Sequence, residues 1–380
     1  MPVFSLGFRI FFLSAAASAA ISMALWLGFL SGFNPLYPLD GKLWHSHELL
    51  FGYGLAVLCG FLLTAIRNWT GQYTWDHKPL MGLWLLWLLA RLGFLLPIPA
   101  ALTALLDISF NIAALVAIST PLIISRNRRN FGFIAIFAGI LVANLLFYAA
   151  LLGGYNNLFE VAINLVLLAH LFTLLIIAGR IVPFFTERVT PLQRKSWPLL
   201  EQALIVLSCA LTLSLLLPVP QIIPALLWLA LGIAGLIRYS GWYHVQIFRH
   251  ALLWVLHLGY LSMTLGLIAY GLSLIFWPAA ALFWLHSIVL ALLGSLMIGM
   301  MARVSLGHTG RPLLPSKAMV VVFVLLLALP LLRSVLPLIW PAAYFSALHI
   351  AGCLWIISML VFLWVYMPVL SRPRPDGNAG

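Results

Sequence analysis

The sequence predicts an all-α integral membrane protein with about twelve transmembrane helices and both termini in the cytoplasm. Of its 380 residues, 64% are hydrophobic and only 7% are charged, whereas a soluble protein carries about 25% charged residues. Apolar stretches of roughly 20 residues, the length that crosses a bilayer as a helix, recur along the chain. Because these stretches are continuous rather than alternating, a transmembrane β-barrel is excluded.

The spans are expected to form a single membrane domain over residues 1–380. Short uncharged turns that contain proline alternate with longer segments rich in Arg and Lys. The first apolar run lacks a clear cleavage site of small residues, so it is interpreted as a span and not as a signal peptide. The predicted spans are residues 8–31, 47–66, 79–97, 100–124, 131–152, 159–180, 199–217, 221–238, 250–276, 280–302, 318–337 and 341–370.

The distribution of positive charge predicts the orientation. With both termini in the cytoplasm, every Lys and Arg faces inward except three. Lys42 and Arg333 face outward, and Arg91 lies inside a span. Cytoplasmic loops collect Lys and Arg, so the net charge of +12 reflects topology. We expect no nucleic-acid partner, because the basic residues are scattered over short loops and line no groove.

Spans 2, 6 and 10 share a pattern that suggests a weak internal repeat. Each carries a histidine and ends in an arginine, namely Arg67, Arg180 and Arg303. A threonine follows each arginine within three to six residues. Each of these spans comes four spans after the one before it in the set. The spacing is compatible with a threefold repeat of four helices. The positive-inside bias alone would also place these arginines, so both interpretations stay open.

A polar cluster at the outer start of span 2, His45-Ser46-His47-Glu48, is the first candidate site. Ionisable residues at a membrane edge are costly and are often functional. On a regular helix His45 and His47 would point about 200° apart, so they could share a metal ion only in a turn or a frayed first turn. Glu48 could then orient an imidazole or accept a proton. Alternatively, Ser46 and Glu48 could cap the start of the helix.

His170, His286 and His349 form a second candidate set. Each lies in an apolar helix, and the predicted topology places all three in the middle or the outer half of the membrane. A single buried histidine often only bonds a carbonyl group. Three at comparable depth favour a shared metal or haem, because neutral imidazole is a ligand of both iron and copper.

Two further features concern the few remaining polar residues. Asp107 lies inside span 4, where it could pair with Arg91 or belong to a proton path. The segment from Arg303 to Pro312 contains His308 and Arg311 and two glycines that permit a tight turn. This segment could bind an anion or could simply be a basic loop at the end of a span.

Three long motifs resemble the NnrS family. They are His45-Ser-His-Glu-Leu-Leu-Phe-Gly52 with Gly60-Phe-Leu-Leu-Thr-Ala65 and Asn68-Trp-Thr-Gly71, then Gly179-Arg-Ile-Val-Pro-Phe-Phe-Thr186, then Met301-Ala-Arg-Val-Ser-Leu-Gly-His-Thr-Gly-Arg-Pro312. Their order and the twelve-span length extend the resemblance over nearly the whole chain.

The resemblance implies a haem- and copper-containing protein of the bacterial inner membrane. It also implies a role in nitric oxide metabolism and in resistance to nitrosative stress, often beside denitrification genes. By motif, the matching positions are His45, His47, Glu48, Arg180, His308 and Arg311. The family often has methionine after the glutamate of the first motif. This chain has Leu49 there, which weakens a copper role at that spot.

Three functions remain open on the sequence. The first is a haem–copper membrane protein that binds, senses or limits nitric oxide, with no catalytic residues assigned. The second is an oxidoreductase analogous to haem–copper oxidases and nitric oxide reductases, although the chain has no adjacent His-His pair. The third is a secondary transporter, which the scarcity of carboxylates does not favour. Nitric oxide and the lipid bilayer are the expected partners, and no electron donor is assigned.

Overall fold

The computed structural model describes residues 2–33 and 39–377, and this part of the chain contains twelve long helices and no strand. Eleven helices have the length and apolar composition to cross a membrane, and the twelfth, α3, has 17 residues. The prediction of a multi-pass helical membrane protein is therefore confirmed. The helices are α1 Gly7–Leu30, α2 Gly41–Thr70, α3 His77–Gly93, α4 Ala100–Ile124, α5 Gly132–Gly153, α6 Asn157–Glu187, α7 Pro198–Leu216, α8 Ile222–Ser240, α9 Ala251–Phe276, α10 Pro278–His308, α11 Lys317–Ile339 and α12 Pro341–Ser371.

Three helices extend beyond the predicted spans, α2 at both ends and α6 and α10 at their C-terminal ends, whereas α3 ends at Gly93, before the predicted end at residue 97. Helix α2 begins at Gly41, where the Asp40 carboxylate accepts a hydrogen bond from the Lys42 amide over 2.9 Å. Asp40 is therefore the cap, and a capping role for Ser46 and Glu48 is wrong. Helices α6 and α10 likewise continue past their last apolar residues, because charged and polar residues end a bilayer crossing without ending a helix.

Short π-helical segments interrupt three of the helices. They cover Glu48–Gly54 in α2, Leu290–Leu296 in α10 and Leu331–Val335 in α11. A π-segment inserts an extra residue into the turn and rotates the side chains that follow it, and such segments are frequent at functional sites. The first begins at Glu48, the second follows His286 by one turn, and the third contains Arg333.

The described residues divide into two compact units. The first unit falls within Met1–Thr173, Arg303–Leu313 and Met359–Gly380, and the second within Leu174–Ala302 and Leu314–Ser358. The single membrane domain, the threefold repeat and the cytoplasmic termini stay predictions.

Candidate functional site

A buried network of charged side chains joins α2, α3 and α4 in the first unit. Arg91 donates to Glu48 over 2.5 Å and also donates to Asp107. His47 bridges the two carboxylates, with Nδ1 3.1 Å from Glu48 Oε1 and Nε2 3.2 Å from Asp107 Oδ2. All four side chains are at most 6% exposed. The predicted pairing of Asp107 with Arg91 is confirmed.

Two side chains of α5 complete this network. The Asn144 amide donates to Asp107 over 3.2 Å, and the Tyr148 hydroxyl donates to the same carboxylate over 3.1 Å. His47 Nε2 also lies 3.3 Å from the Asn144 amide oxygen. Both ring nitrogens of His47 therefore face acceptor oxygens, which suits a doubly protonated imidazole. The network then holds two cations and two anions, and this balance offsets part of the cost of burying charge.

The ring of His47 is also enclosed on its faces. The ring centroids of Phe51, Phe147 and Phe94 lie 4.8, 4.4 and 5.0 Å from it. The imidazole is completely buried, so neither its nitrogens nor its faces have room for another ligand.

His45 lies on a different side of the helix from His47. The segment Gly41–His47 is regular α-helix, so the turn that would have brought the two imidazoles together does not form. The half-buried ring of His45 stacks on Trp26 with the centroids 4.6 Å apart. His45, His47 and Glu48 thus do not converge on one point. This geometry does not fit a copper ion held by all three, and their metal role stays a prediction.

His170 is fully buried in α6. Its Nδ1 donates to the Val166 carbonyl over 2.7 Å, and Nε2 has no hydrogen-bond partner. That nitrogen faces the backbone of Gly54, where an added Cβ would lie only 2.5 Å away. The absence of a side chain at Gly54 is what allows this close approach. A macrocycle does not fit between the nitrogen and this backbone.

His286 and His349 have the same hydrogen bond but different surroundings. Their Nδ1 atoms donate over 2.8 Å to the carbonyls of Leu282 and Phe345, one turn earlier in each helix. Both histidines are only half-buried. A backbone bond from Nδ1 fixes the tautomer that leaves the Nε2 lone pair free, which is the usual arrangement of a metal-binding histidine. The donor chemistry of these two residues therefore fits an axial ligand of haem.

The three predicted haem residues fall in different units of the structure. His170 belongs to the first unit, whereas His286 and His349 belong to the second. Among the described residues no hydrogen bond or ring contact joins His286 to His349, and no group of three or more metal-binding side chains is found. Their role as haem ligands stays a prediction.

The positions matched by motif outside α2 lie near helix ends. Arg180 is half-buried in α6. The glycine before it, Gly179, leaves space for the guanidinium of Arg238. A Cβ at Gly179 would lie only 1.7 Å from Nη2 of Arg238. Arg238 in turn donates to Glu201 and, over 2.7 Å, to the Leu175 carbonyl. Close packing of an arginine thus explains the glycine of this motif.

The last motif forms the end of α10 and the turn after it. The His308 ring packs 5.7 Å from the Phe8 ring, and its carbonyl accepts from Arg374 over 3.2 Å. Arg311 donates to the Thr309 carbonyl over 3.3 Å. Gly310 has φ +67° and makes the turn, while the rest of the segment up to His308 is helical. An anion-binding role for His308 and Arg311 stays a prediction.

Two arrangements in the second unit were not predicted as sites. The His257 Nε2 lies 2.9 Å from the Thr186 hydroxyl, which donates its own proton to the Val182 carbonyl, so Nε2–H is the donor. Arg333, in the π-segment of α11, lies beside the rings of Phe283 and Tyr344. The sequence signal that could have identified Arg333 as a candidate site residue is its charge: it is one of two cations that the predicted topology places on the outer side.

The fold and the candidate site define a polytopic helical membrane protein with a closed ion-pair network in one unit and accessible histidines in the other. The chain belongs to the NnrS family: residues 2–374 match the family described as NnrS protein. No curated protein and no solved structure matches the chain.

Proposed function

We propose that this chain is a haem- and copper-binding protein of the bacterial inner membrane that takes part in nitric oxide metabolism and in resistance to nitrosative stress. The observation that carries the proposal is the match to the NnrS family over residues 2–374. The multi-pass helical fold supports a membrane location. Nitric oxide is the proposed ligand, and nothing in the chain's motifs assigns a catalytic residue.

The histidines of the second unit are the proposed haem ligands. His286 and His349 each hold Nδ1–H on a backbone carbonyl, so that Nε2 presents its lone pair from a half-buried ring. A neutral imidazole in this tautomer needs no loss of a proton before it binds iron. When bound, the haem would supply an iron centre that takes nitric oxide. We leave His170 out of this proposal because its Nε2 faces the Gly54 backbone.

The buried network of the first unit has a supporting role in this proposal. His47, Glu48, Arg91 and Asp107 satisfy one another, and they fix α2, α3 and α4 through hydrogen bonds that lipid cannot replace. Copper is proposed from the family alone, and we assign no residues to it, because the donors of the first motif do not converge.

A visible spectrum with metal analysis tests the proposal. The protein is expressed with ample iron, haem precursor and copper, and it is purified in detergent. We expect a Soret band and both metals in the preparation, and we expect nitric oxide to shift the band. A preparation without a Soret band, despite full cofactor supply, would contradict the haem assignment and favour a transporter.

A further inference from the structure

Arg333 is an arginine without a carboxylate partner in its own unit. The sequence ranges of the second unit contain only two acidic residues, Glu187 and Glu201. Glu187 lies 3.6 Å from Arg194, and Glu201 accepts from Arg238. A charged residue within a predicted span is costly unless a partner neutralises it, and such a residue is a candidate for function.

The surroundings of Arg333 hold its guanidinium in place. The carbon of the guanidinium lies 6.0 Å from the centre of the Phe283 ring and 5.5 Å from that of Tyr344. The two rings attract the cation, and the Tyr344 hydroxyl is an uncharged hydrogen-bond partner for it, but neither ring supplies the negative charge of a carboxylate. The Nη1 atom is buried and has no hydrogen-bond partner among the described residues. The π-segment Leu331–Val335 positions this side chain.

His286 is the neighbour that suggests what Arg333 binds. It lies one turn after Phe283 on α10, and the Phe283 ring is one of the two that the Arg333 guanidinium lies beside. Its Nδ1 is held by the Leu282 carbonyl, which leaves Nε2 free. Two helices therefore place a nitrogen suited to a metal beside a cation suited to an oxyanion.

We propose that Arg333 binds the carboxylate of a haem propionate, with the haem iron held by His286. This proposal rests on the proposed function. An oxyanion can accept a hydrogen bond from the Nη1 group of Arg333, which has no other partner among the described residues. Haem is a ligand that carries both a metal and carboxylates. The phosphate of an anionic lipid shares the oxyanion chemistry, and the experiment separates the two sources.

The test compares haemin with haemin dimethyl ester, whose propionates are uncharged. Protein expressed without haem is placed in phosphatidylcholine nanodiscs, and each compound is titrated while the Soret band is recorded. The unmodified protein should bind haemin more tightly than the ester, by about tenfold or more, because a charge-assisted hydrogen bond is lost with the ester. In Arg333→Gln this preference should disappear, while the ester binds equally to both proteins.

Two matched variants make the result specific. Lys317→Gln removes an exposed cation from the other end of the same helix and should keep the full preference. Arg333→Lys keeps the charge but loses the planar fork, so an intermediate preference is expected, and this variant serves if Arg333→Gln does not fold.

A full preference for haemin in Arg333→Gln would overturn the role of Arg333 and leave the proposed haem binding intact. Failure of the unmodified protein to bind either compound would instead contradict the proposed function and, with it, this inference. A second arm uses nanodiscs with phosphatidylglycerol. If Arg333→Gln loses retained phosphatidylglycerol while its preference for haemin is unchanged, the partner is a lipid phosphate, and the proposal is wrong.

Discussion

His47 in the first unit and His286 in the second differ in whether a ring nitrogen remains free to bind a ligand. Both nitrogens of His47 face oxygen acceptors, and aromatic rings cover its faces. His286 uses one nitrogen on a backbone carbonyl and keeps the other free in a half-buried ring. The same residue type in two apolar helices thus serves as a buried member of an ion-pair network in one case and as a candidate ligand in the other.

This difference shows that membrane depth is a poor guide to metal binding. His47 and His170 lie in apolar helices as His286 does, yet each lacks what a haem ligand needs, either a free nitrogen or space beside it. The hydrogen-bond partners and the neighbouring backbone decide the role.

Removing the Arg91 guanidinium from the buried ion-pair network should have the largest effect on stability. Arg91→Gln leaves Glu48 and Asp107 buried without their arginine. Breaking a buried ion pair by removing one partner costs roughly 3–5 kcal/mol. We expect a sharp fall in yield and in the melting temperature in detergent, measured by loss of the monodisperse peak after heating. Arg128→Gln, which removes an exposed arginine of the same unit, should leave both unchanged. A melting temperature for Arg91→Gln equal to that of the Arg128 variant would show that the network does not stabilise the fold.

Substitution of Gly54 tests whether the space beside His170 is closed. The Cβ of Gly54→Ala would lie 2.5 Å from Nε2, so the ring or the π-segment must move. Overpacking of this kind costs about 1–3 kcal/mol, which should appear as a lower melting temperature. Gly139→Ala is the control: its Cβ meets nothing within 4 Å, and alanine is the better helix former by about 0.5–1 kcal/mol. Equal tolerance of both substitutions would indicate free space at His170 and reopen its role as a ligand.

Replacement of His45 should have the smallest effect on the fold. His45→Ala removes a ring that stacks on Trp26 outside the network, and an aromatic contact of this kind contributes about 0.5–1.5 kcal/mol. We expect the melting temperature to change little, and the copper content of this variant tests the predicted metal role of His45. A loss of copper in this variant alone would show that His45 binds copper without His47.

Much of the fold follows from the sequence. Long apolar runs and the bias of Arg and Lys are strong signals, and the motifs identify the family. The pairing of Arg91 with Asp107 could also be predicted, because two opposite charges in neighbouring spans must find each other in an apolar medium.

The roles of the individual histidines could not be predicted in the same way. Depth follows from counting residues, but the rotation of one helix against its neighbours does not. The α-helical segment Gly41–His47 presents His47 to Asp107 of α4 and Asn144 of α5. Nothing local in the sequence indicates this orientation. The close approach of His170 to Gly54 depends on two distant helices, and periodicity within one helix does not reveal it.

The most direct test compares the Soret bands of His286→Ala, His349→Ala and His170→Ala in preparations loaded with haem. The account predicts that at least one of the first two variants shifts or loses the band while its yield and melting temperature stay close to normal. An interhelical polar contact in a membrane contributes only roughly 0.6–2 kcal/mol, so losing one should not unfold the bundle. His170→Ala should keep the band. A normal band in both His286→Ala and His349→Ala, or a lost band in His170→Ala, would contradict the account. It would show that a free Nε2 in a half-buried ring does not mark the haem ligands of this protein.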